Sequence, residues 1–388
     1  MKFLKRLTLL PLICILPFTA VGCKKTTYHF YTNVPQSGFE LVDKSFEVGE
    51  IISGLNVADR NFEEKDTSAY TSRNRLYTAM GVDAQLIISA DFTKEGAQDN
   101  YAAFTKSIFN LLENVEKALS PTVTGSDILN FNNAEAGETV EISHVTYEVL
   151  TIASDVYDLT EGYYNPALYY NVLAYGFGTA RKYPQSAADL PDDSAIEKYT
   201  ELAKSFGEIT LSENNGKYTV TKPAKTVEVN GETLSLKLDL GGIGKGYAVD
   251  KIDELFDLYG YEYGYFSYAS SSMLFKSNVK EGNYTLQITS PRSNTRDEYM
   301  RVPARNEKLS TSGDNEQRYF IDGVRYCHII DPTTGKPVRT GIMSATVIGG
   351  SAAEDDALTT AIMAMGKDRA IKFIEEKLTD RRVVFTVE

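Results

Sequence analysis

Cysteine and histidine are scarce in this 388-residue chain, with three of each, and positive charge is scarce relative to negative. Cys14 falls inside an apolar N-terminal run and Cys23 at its end, which leaves Cys327 alone and excludes a disulfide framework for the rest of the chain. His29, His144 and His328, without paired cysteines, do not compose a zinc cluster. Any metal is therefore expected to be a hard ion held by oxygens. Forty Lys and Arg stand against 53 Asp and Glu, a formal net charge of −13, which argues against nucleic acid as a partner. Long apolar runs are missing too. The run from Leu9 to Val21 falls short of the roughly 20 residues that a membrane-spanning helix needs.

What surrounds that run is an export signal. Lys2, Lys5 and Arg6 precede it, and small residues lead up to Cys23. Ala20-Val21-Gly22-Cys23 resembles the bacterial lipobox, with Ala20 in the place usually held by Leu. The expectation is a signal peptide over residues 1–22, a lipidated Cys23, and an extracytoplasmic protein anchored to the membrane. A plain cleaved signal that ends beside a cysteine is the alternative. Diacylation would supply the two chains that stable anchoring requires, and loss of the signal would move the formal charge from −13 to −16.

Residues 23–75 are polar and poorly periodic and suggest a tether, with one or two short strands around Phe39 to Val48. Residues 76–388 have the pattern of one large domain. Ile108, Leu111, Leu112, Val115 and Leu119 recur at helical spacing, as do Ala248, Ile252, Leu255, Phe256 and Tyr259 before Gly260. Alternation at Leu234, Leu236, Leu238 and Leu240, and again over Ile342 to Ile348, predicts strands, and Tyr284 to Ile288 predicts another. Strands and helices do not alternate regularly, so the expected class is α+β rather than a doubly wound parallel sheet.

Three segments could carry chemistry. In Leu238-Asp-Leu-Gly-Gly-Ile-Gly-Lys-Gly-Tyr-Ala-Val-Asp250 a strand passes through glycines into a helix, a place where backbone can approach an anion closely. The dinucleotide fingerprint would need Gly at Tyr247, and a phosphate loop would need Ser or Thr at Gly246. A tight strand-to-helix turn with no ligand explains the glycines equally well. In the helix expected over residues 354–365, Asp356 and Thr360 fall one above the other, with Thr359 beside them, opposite an apolar side. Such a set can offer oxygens to a single Mg²⁺; a solvated polar face favoured by the helix dipole is the alternative. His328 precedes a Pro and Gly turn near a loop mouth, as a catalytic group or as a satisfied structural histidine.

These segments, together with Thr311-Ser-Gly-Asp314, His328-Ile-Ile-Asp-Pro-Thr-Thr-Gly-Lys-Pro337 and Asp356-Ala-Leu-Thr-Thr-Ala361, resemble in sequence and order the ApbE family of FAD:protein FMN transferases. Weaker matches precede them at Met80-Gly81, Ser126-Asp-Ile-Leu-Asn-Phe-Asn132, Gly162 to Asn165 and Tyr175-Gly-Phe-Gly178. The resemblance implies a T-fold-related α+β domain with mixed or antiparallel sheets and flanking helices. It also implies an enzyme that, with Mg²⁺, transfers FMN from FAD to a Thr or Ser hydroxyl of an acceptor protein and releases AMP. By the same resemblance Met80, Tyr163, Tyr164, Asn165, Asp239, Lys245 and the backbone at Ile330 would line the FAD site. The carbonyls of Gly242 and Thr359, the Asp356 carboxylate and the Thr360 hydroxyl would hold Mg²⁺. His328 is the first candidate for handling a proton or contacting phosphate, and the Asp356 region the second.

The chain departs from the family pattern at several points. Tyr164-Asn165-Pro166-Ala167 stands for Phe-Asp-Pro-Thr, Thr122 for an aromatic residue, Ser270-Ser271 for a Gly-Gly pair, and Gly244 for Ala. The altered Tyr164-Asn165 segment keeps open a non-catalytic FAD-binding lipoprotein. An FAD hydrolase, in which water replaces the acceptor hydroxyl, is the third reading.

Overall fold

A computed structural model describes residues 28–42, 46–53, 55, 66–178, 181–269, 271–279, 284–292 and 300–388. The expected signal peptide, Cys23 and Ser270 lie outside the described residues. Among the described residues no helix is long and apolar enough to cross a membrane.

Side chains two residues apart share a face of a strand, and here both faces are covered. Val383 and Phe385 enter one apolar cluster and Val384 the other; Leu274 and Phe275 divide the same way, as do Val347 and Ile348. The strands belong to a nine-stranded sheet with the spatial order Phe46–Ile51, Tyr28–Thr32, Arg382–Val387, Ile342–Ile348, Glu307–Gly313, Ser272–Ser277, Tyr263–Tyr268, Val82–Ala90, Thr71–Ala79. Neighbours are antiparallel throughout, except that Tyr28–Thr32 runs parallel to Phe46–Ile51.

Eight α-helices stand among the described residues: α1 (Ala97–Leu119), α2 (Asp127–Asn133), α3 (His144–Leu159), α4 (Tyr169–Ala174), α5 (Asp193–Ala203), α6 (Gly244–Leu258), α7 (Ala352–Met365) and α8 (Lys367–Lys377). The larger apolar cluster joins α1, α3, α6 and α7 to one face of the sheet. The other face packs Phe30, Phe46, Phe275 and Leu309 against Leu286, Met300 and Val302 of a small sheet formed by Tyr284–Ile288, Met300–Ala304 and Glu40–Leu41. The architecture is α+β, in one domain with mixed sheets and flanking helices, as the sequence suggested.

Two expectations need correction. The segment expected to be a tether has its strands around Phe39 to Val48, at Glu40–Leu41 and Phe46–Ile51, but it is part of the domain: Tyr28–Thr32 and Phe46–Ile51 join the main sheet, Phe30 and Phe46 enter the smaller apolar cluster, and Thr32 Oγ1 donates to the Val383 carbonyl at 2.7 Å. Its low apolar content hid the few large residues that anchor it. The alternating leucines form a strand only over Glu232–Ser235; Leu236, Leu238 and Leu240 are buried, but residues 236–240 pair with no strand. The Asn132 side chain takes the place of a neighbouring strand, accepting from the Leu238 N–H at 2.7 Å and donating to the Leu238 carbonyl at 2.9 Å. Periodicity reported the burial correctly and could not report which group satisfies the backbone.

Candidate active site

The glycine segment begins where Asn132 fixes Leu238. The Asp239 N–H donates to the Pro166 carbonyl at 2.9 Å, and the Asp239 carboxylate accepts from the Gly241 N–H at 2.8 Å. The chain then turns and enters α6 at Gly244, with Ile243 in the capping position and no side chain of its own to satisfy the first-turn amides. One of them, Gly246 N–H, donates to Asp356 Oδ2 of α7 at 3.2 Å. Gly246 must lack a side chain, since a β-carbon there would lie 2.0 Å from the Ala352 carbonyl oxygen. This glycine serves the close contact between α6 and α7.

The exchange is reciprocal. Asp250 of α6 accepts from the Ala352 and Ala353 N–H groups of α7 at 2.8 and 2.9 Å and from the Ser351 hydroxyl at 2.7 Å, with Lys308 Nζ 2.7 Å away. Each helix thus has its positive N-terminus covered by a carboxylate of the other, the arrangement that the helix dipole favours. Asp250 closes the glycine motif and sequence reasoning missed its role.

The polar side of α7 is not solvated. Asp356 is 2% exposed and Thr359 0%, which excludes the bland reading of that face. Burial pushes the Asp356 carboxyl up, while Lys245, 3.7 Å away, and the Gly246 N–H act in the opposite direction. Thr359 Oγ1 donates to the Asp356 carbonyl at 2.8 Å. Ser312, unrecognised within its motif, places its hydroxyl 2.8 Å from Thr359 Oγ1 and 3.5 Å from Thr360 Oγ1. A β-carbon on Gly242 would stand 3.6 Å from Thr360 Oγ1 and 3.7 Å from Tyr164 Cε2. The glycine turn, α7 and the segment around Tyr164 therefore meet at one place.

Met80 occupies the turn between strands Thr71–Ala79 and Val82–Ala90 with φ of 50°, followed by Gly81 at 73°. Its sulfur would lie 3.8 Å from a β-carbon on Gly244, at the start of α6. Lys245 Nζ donates to the Gly241 carbonyl at 2.9 Å. Burial raises the Asp239 carboxyl above its ordinary range, opposed by the Gly241 N–H and Lys245. Tyr163 lies under the Arg369 guanidinium, 5.0 Å from ring centre to Cζ. Ile330 is buried and forms an isolated bridge with Pro337. Asn165 uses both ends of its amide within the protein, donating to the Ala203 carbonyl at 3.1 Å and accepting from the Ala167 N–H at 2.9 Å. A carboxylate could not make the first of these bonds.

His328 follows the strand Val324–Cys327 and donates its backbone N–H to the Gln317 carbonyl at 3.1 Å. The imidazole is half-buried, and its Nδ1 has no partner among the described residues. Burial, with smaller contributions from Lys245 and Arg181, pushes its pKa down to about 4 against the opposing pull of Asp314. Asp314 is itself clamped by both Arg292 amino groups at 2.6 Å. The structure thus brings His328, Lys245 and Asp356 into one electrostatic neighbourhood. Of the positions that depart from the family pattern, Thr122 is exposed and bonds only locally, and Ser271 is buried with its carbonyl accepting from the Thr311 N–H at 2.6 Å.

The site is thus a largely antiparallel sheet backed by two mutually capped helices, with a glycine turn facing a buried carboxylate. Residues 80–385 match the family model described as "ApbE family", and the chain belongs to that family. A curated relative from Vibrio cholerae, named FAD:protein FMN transferase, is 29% identical over 69% of this chain and 75% of its own length. One of the same name from Treponema pallidum is 26% identical over 74% of this chain and 77% of its own. Among solved structures, the flavin transferase ApbE from Vibrio cholerae superposes with a TM-score of 0.66 at 24% identity, covering 82% of this chain and 94% of that one. The ApbE protein of Thermotoga maritima gives 0.65 at 24% identity, covering 81% and 94%.

Proposed function

We propose that the chain is an FAD:protein FMN transferase that moves FMN from FAD onto a Thr or Ser hydroxyl of an acceptor protein. The observation that carries this reading is the buried Asp356 carboxylate, held between the α6 N-terminus and Lys245, with Gly242 and Thr360 alongside.

The donor set suits Mg²⁺. The carboxylate of Asp356, the carbonyls of Gly242 and Thr359 and the Thr360 hydroxyl are all hard oxygens. A buried carboxylate whose charged form is penalised by its surroundings is one that a cation would relieve. When bound, the ion would neutralise diphosphate charge at the reacting phosphorus.

The protein's own residues do the rest. Lys245 and the amides at the start of α6 offer positive charge to the diphosphate. Met80, Tyr163, Tyr164, Asp239 and the backbone at Ile330 would line the remainder of the FAD site, with Asn165 bracing the segment on which the tyrosines stand. His328 is neutral through the physiological range and so able to accept a proton. The acceptor oxygen bonds to the FMN phosphorus, the P–O bond to AMP breaks, and the acceptor's proton passes to His328. Positioning and charge stabilisation carry most of such a phosphoryl transfer. The proposal includes export, lipidation of Cys23 and attachment to the outer face of the cell membrane.

The test is incubation of the purified chain with FAD, Mg²⁺ and a small acceptor domain. Flavin fluorescence that stays with the acceptor in a denaturing gel, and disappears with Asp356→Ala, is the expected result. AMP release without a labelled acceptor would show hydrolysis instead, and FAD binding without AMP release would show a carrier.

A further inference from the structure

Tyr164 carries an unexplained atom. Its side chain is 3% exposed, yet its hydroxyl has no hydrogen-bond partner among the described residues. An unpartnered buried hydroxyl is costly, and such a group calls for an explanation, of which a partner from outside the protein is one. The ring is tightly located. The Tyr164 N–H donates to Thr160 Oγ1 at 3.0 Å, and the next residue, Asn165, is tied to Ala203 and Ala167. The ring edge that bears the hydroxyl faces the glycine turn, with Cε2 3.7 Å from where a β-carbon on Gly242 would be. Asp356 and Asp239 both act on the phenol electrostatically.

We propose that the Tyr164 phenol donates a hydrogen bond to a non-bridging phosphate oxygen of the bound dinucleotide. The inference rests on the reading of the site as an FAD site and adds to it a specific contact. A tyrosine hydroxyl is a hydrogen-bond donor as well as an acceptor, so it can serve an anion. Beside the Gly242 turn, an O–H donated to an anionic phosphate oxygen makes one of the stronger kinds of hydrogen bond.

The test compares the full chain with Tyr164→Phe. FAD affinity in the presence of Mg²⁺ should fall by about tenfold or more, as for a lost hydrogen bond to a charged group. Phosphorus NMR resonances of bound FAD should shift while the flavin absorption spectrum stays the same. The ligand-free melting temperature should hold or rise, because the atom removed bonds nothing in the protein. Equal affinities would overturn the proposal. So would an altered flavin spectrum with unmoved phosphorus signals, or a fall in ligand-free melting temperature, which would reveal a protein partner for the hydroxyl. If the unmodified chain binds no FAD, the transferase reading fails along with this one; if it binds FAD and Tyr164→Phe binds it equally, only the phenol contact fails.

Discussion

Asp356 of α7 accepts from the backbone N–H of Gly246 in α6 at 3.2 Å, so the carboxylate assigned to the cation also closes the open end of a neighbouring helix. The position of one oxygen is set by backbone rather than by a mobile side chain. This is the kind of preorganisation that phosphoryl transfer requires.

Asp356→Asn separates charge from shape. The amide oxygen can still accept from Gly246, but the buried charge is gone. Transfer activity should fall by on the order of 100-fold or more, while the melting temperature without divalent ions rises by a few degrees. Mg²⁺ should stabilise the unaltered protein and leave the variant unmoved. A variant that melts lower, or still responds to Mg²⁺, would count against this assignment.

Gly246→Ala tests helix packing. With the Ala352 oxygen 2.0 Å from the new carbon, the two helices must separate. A loss of about 1–3 kcal/mol in denaturant unfolding is expected. A stability within error of the parent would refute the contact.

Asn165→Asp should destabilise this chain. It removes the donor to the Ala203 carbonyl and turns a carboxylate toward it, at a cost of about 1–3 kcal/mol. Chemical denaturation measures this directly, and unchanged stability would return Asn165 to the role of a ligand contact.

The pH dependence follows from His328. Its folded pKa, about 4, lies below its ordinary value of 6.5, so the unfolded chain takes up this proton first. Stability from this group is therefore complete above pH 6.5 and declines as pH falls from 6.5 toward 4. In kcat/KM against pH, the acid limb assigned to His328 should lie near 4. His328→Gln should abolish that limb and lower kcat by about 10²–10⁴. A limb at 6.5 that survives the substitution would remove His328 from proton transfer.

The sequence made much of this legible because the signals are local. Helical spacing located α1 and α6, and alternation located Ile342–Ile348 and Tyr284–Ile288. On α7 the spacing alone put Asp356, Thr359 and Thr360 on one side, but the sequence could not tell a solvated face from a buried one, since that depends on what packs against the helix. Asp250, Ser312 and Asn132 escaped for the same reason. Their partners are 102, 47 and 106 residues away in the chain, and no short-range pattern records such a distance. Strands around Phe39 to Val48 were legible, at Glu40–Leu41 and Phe46–Ile51, but Tyr28–Thr32 escaped because a few apolar residues in a polar stretch carry little periodicity.

The pairing of Tyr28–Thr32 with Arg382–Val387 bears on how the chain is made. The former strand sits between Phe46–Ile51 and the last strand, so it gains its second neighbour only once the final residues have been synthesised. Vectorial synthesis therefore cannot complete the main sheet piece by piece. Stop codons or proteolytic nicks that remove residues 382–387 would expose an apolar edge at the opposite end of the polypeptide, and shortened products should clump rather than persist as smaller soluble forms.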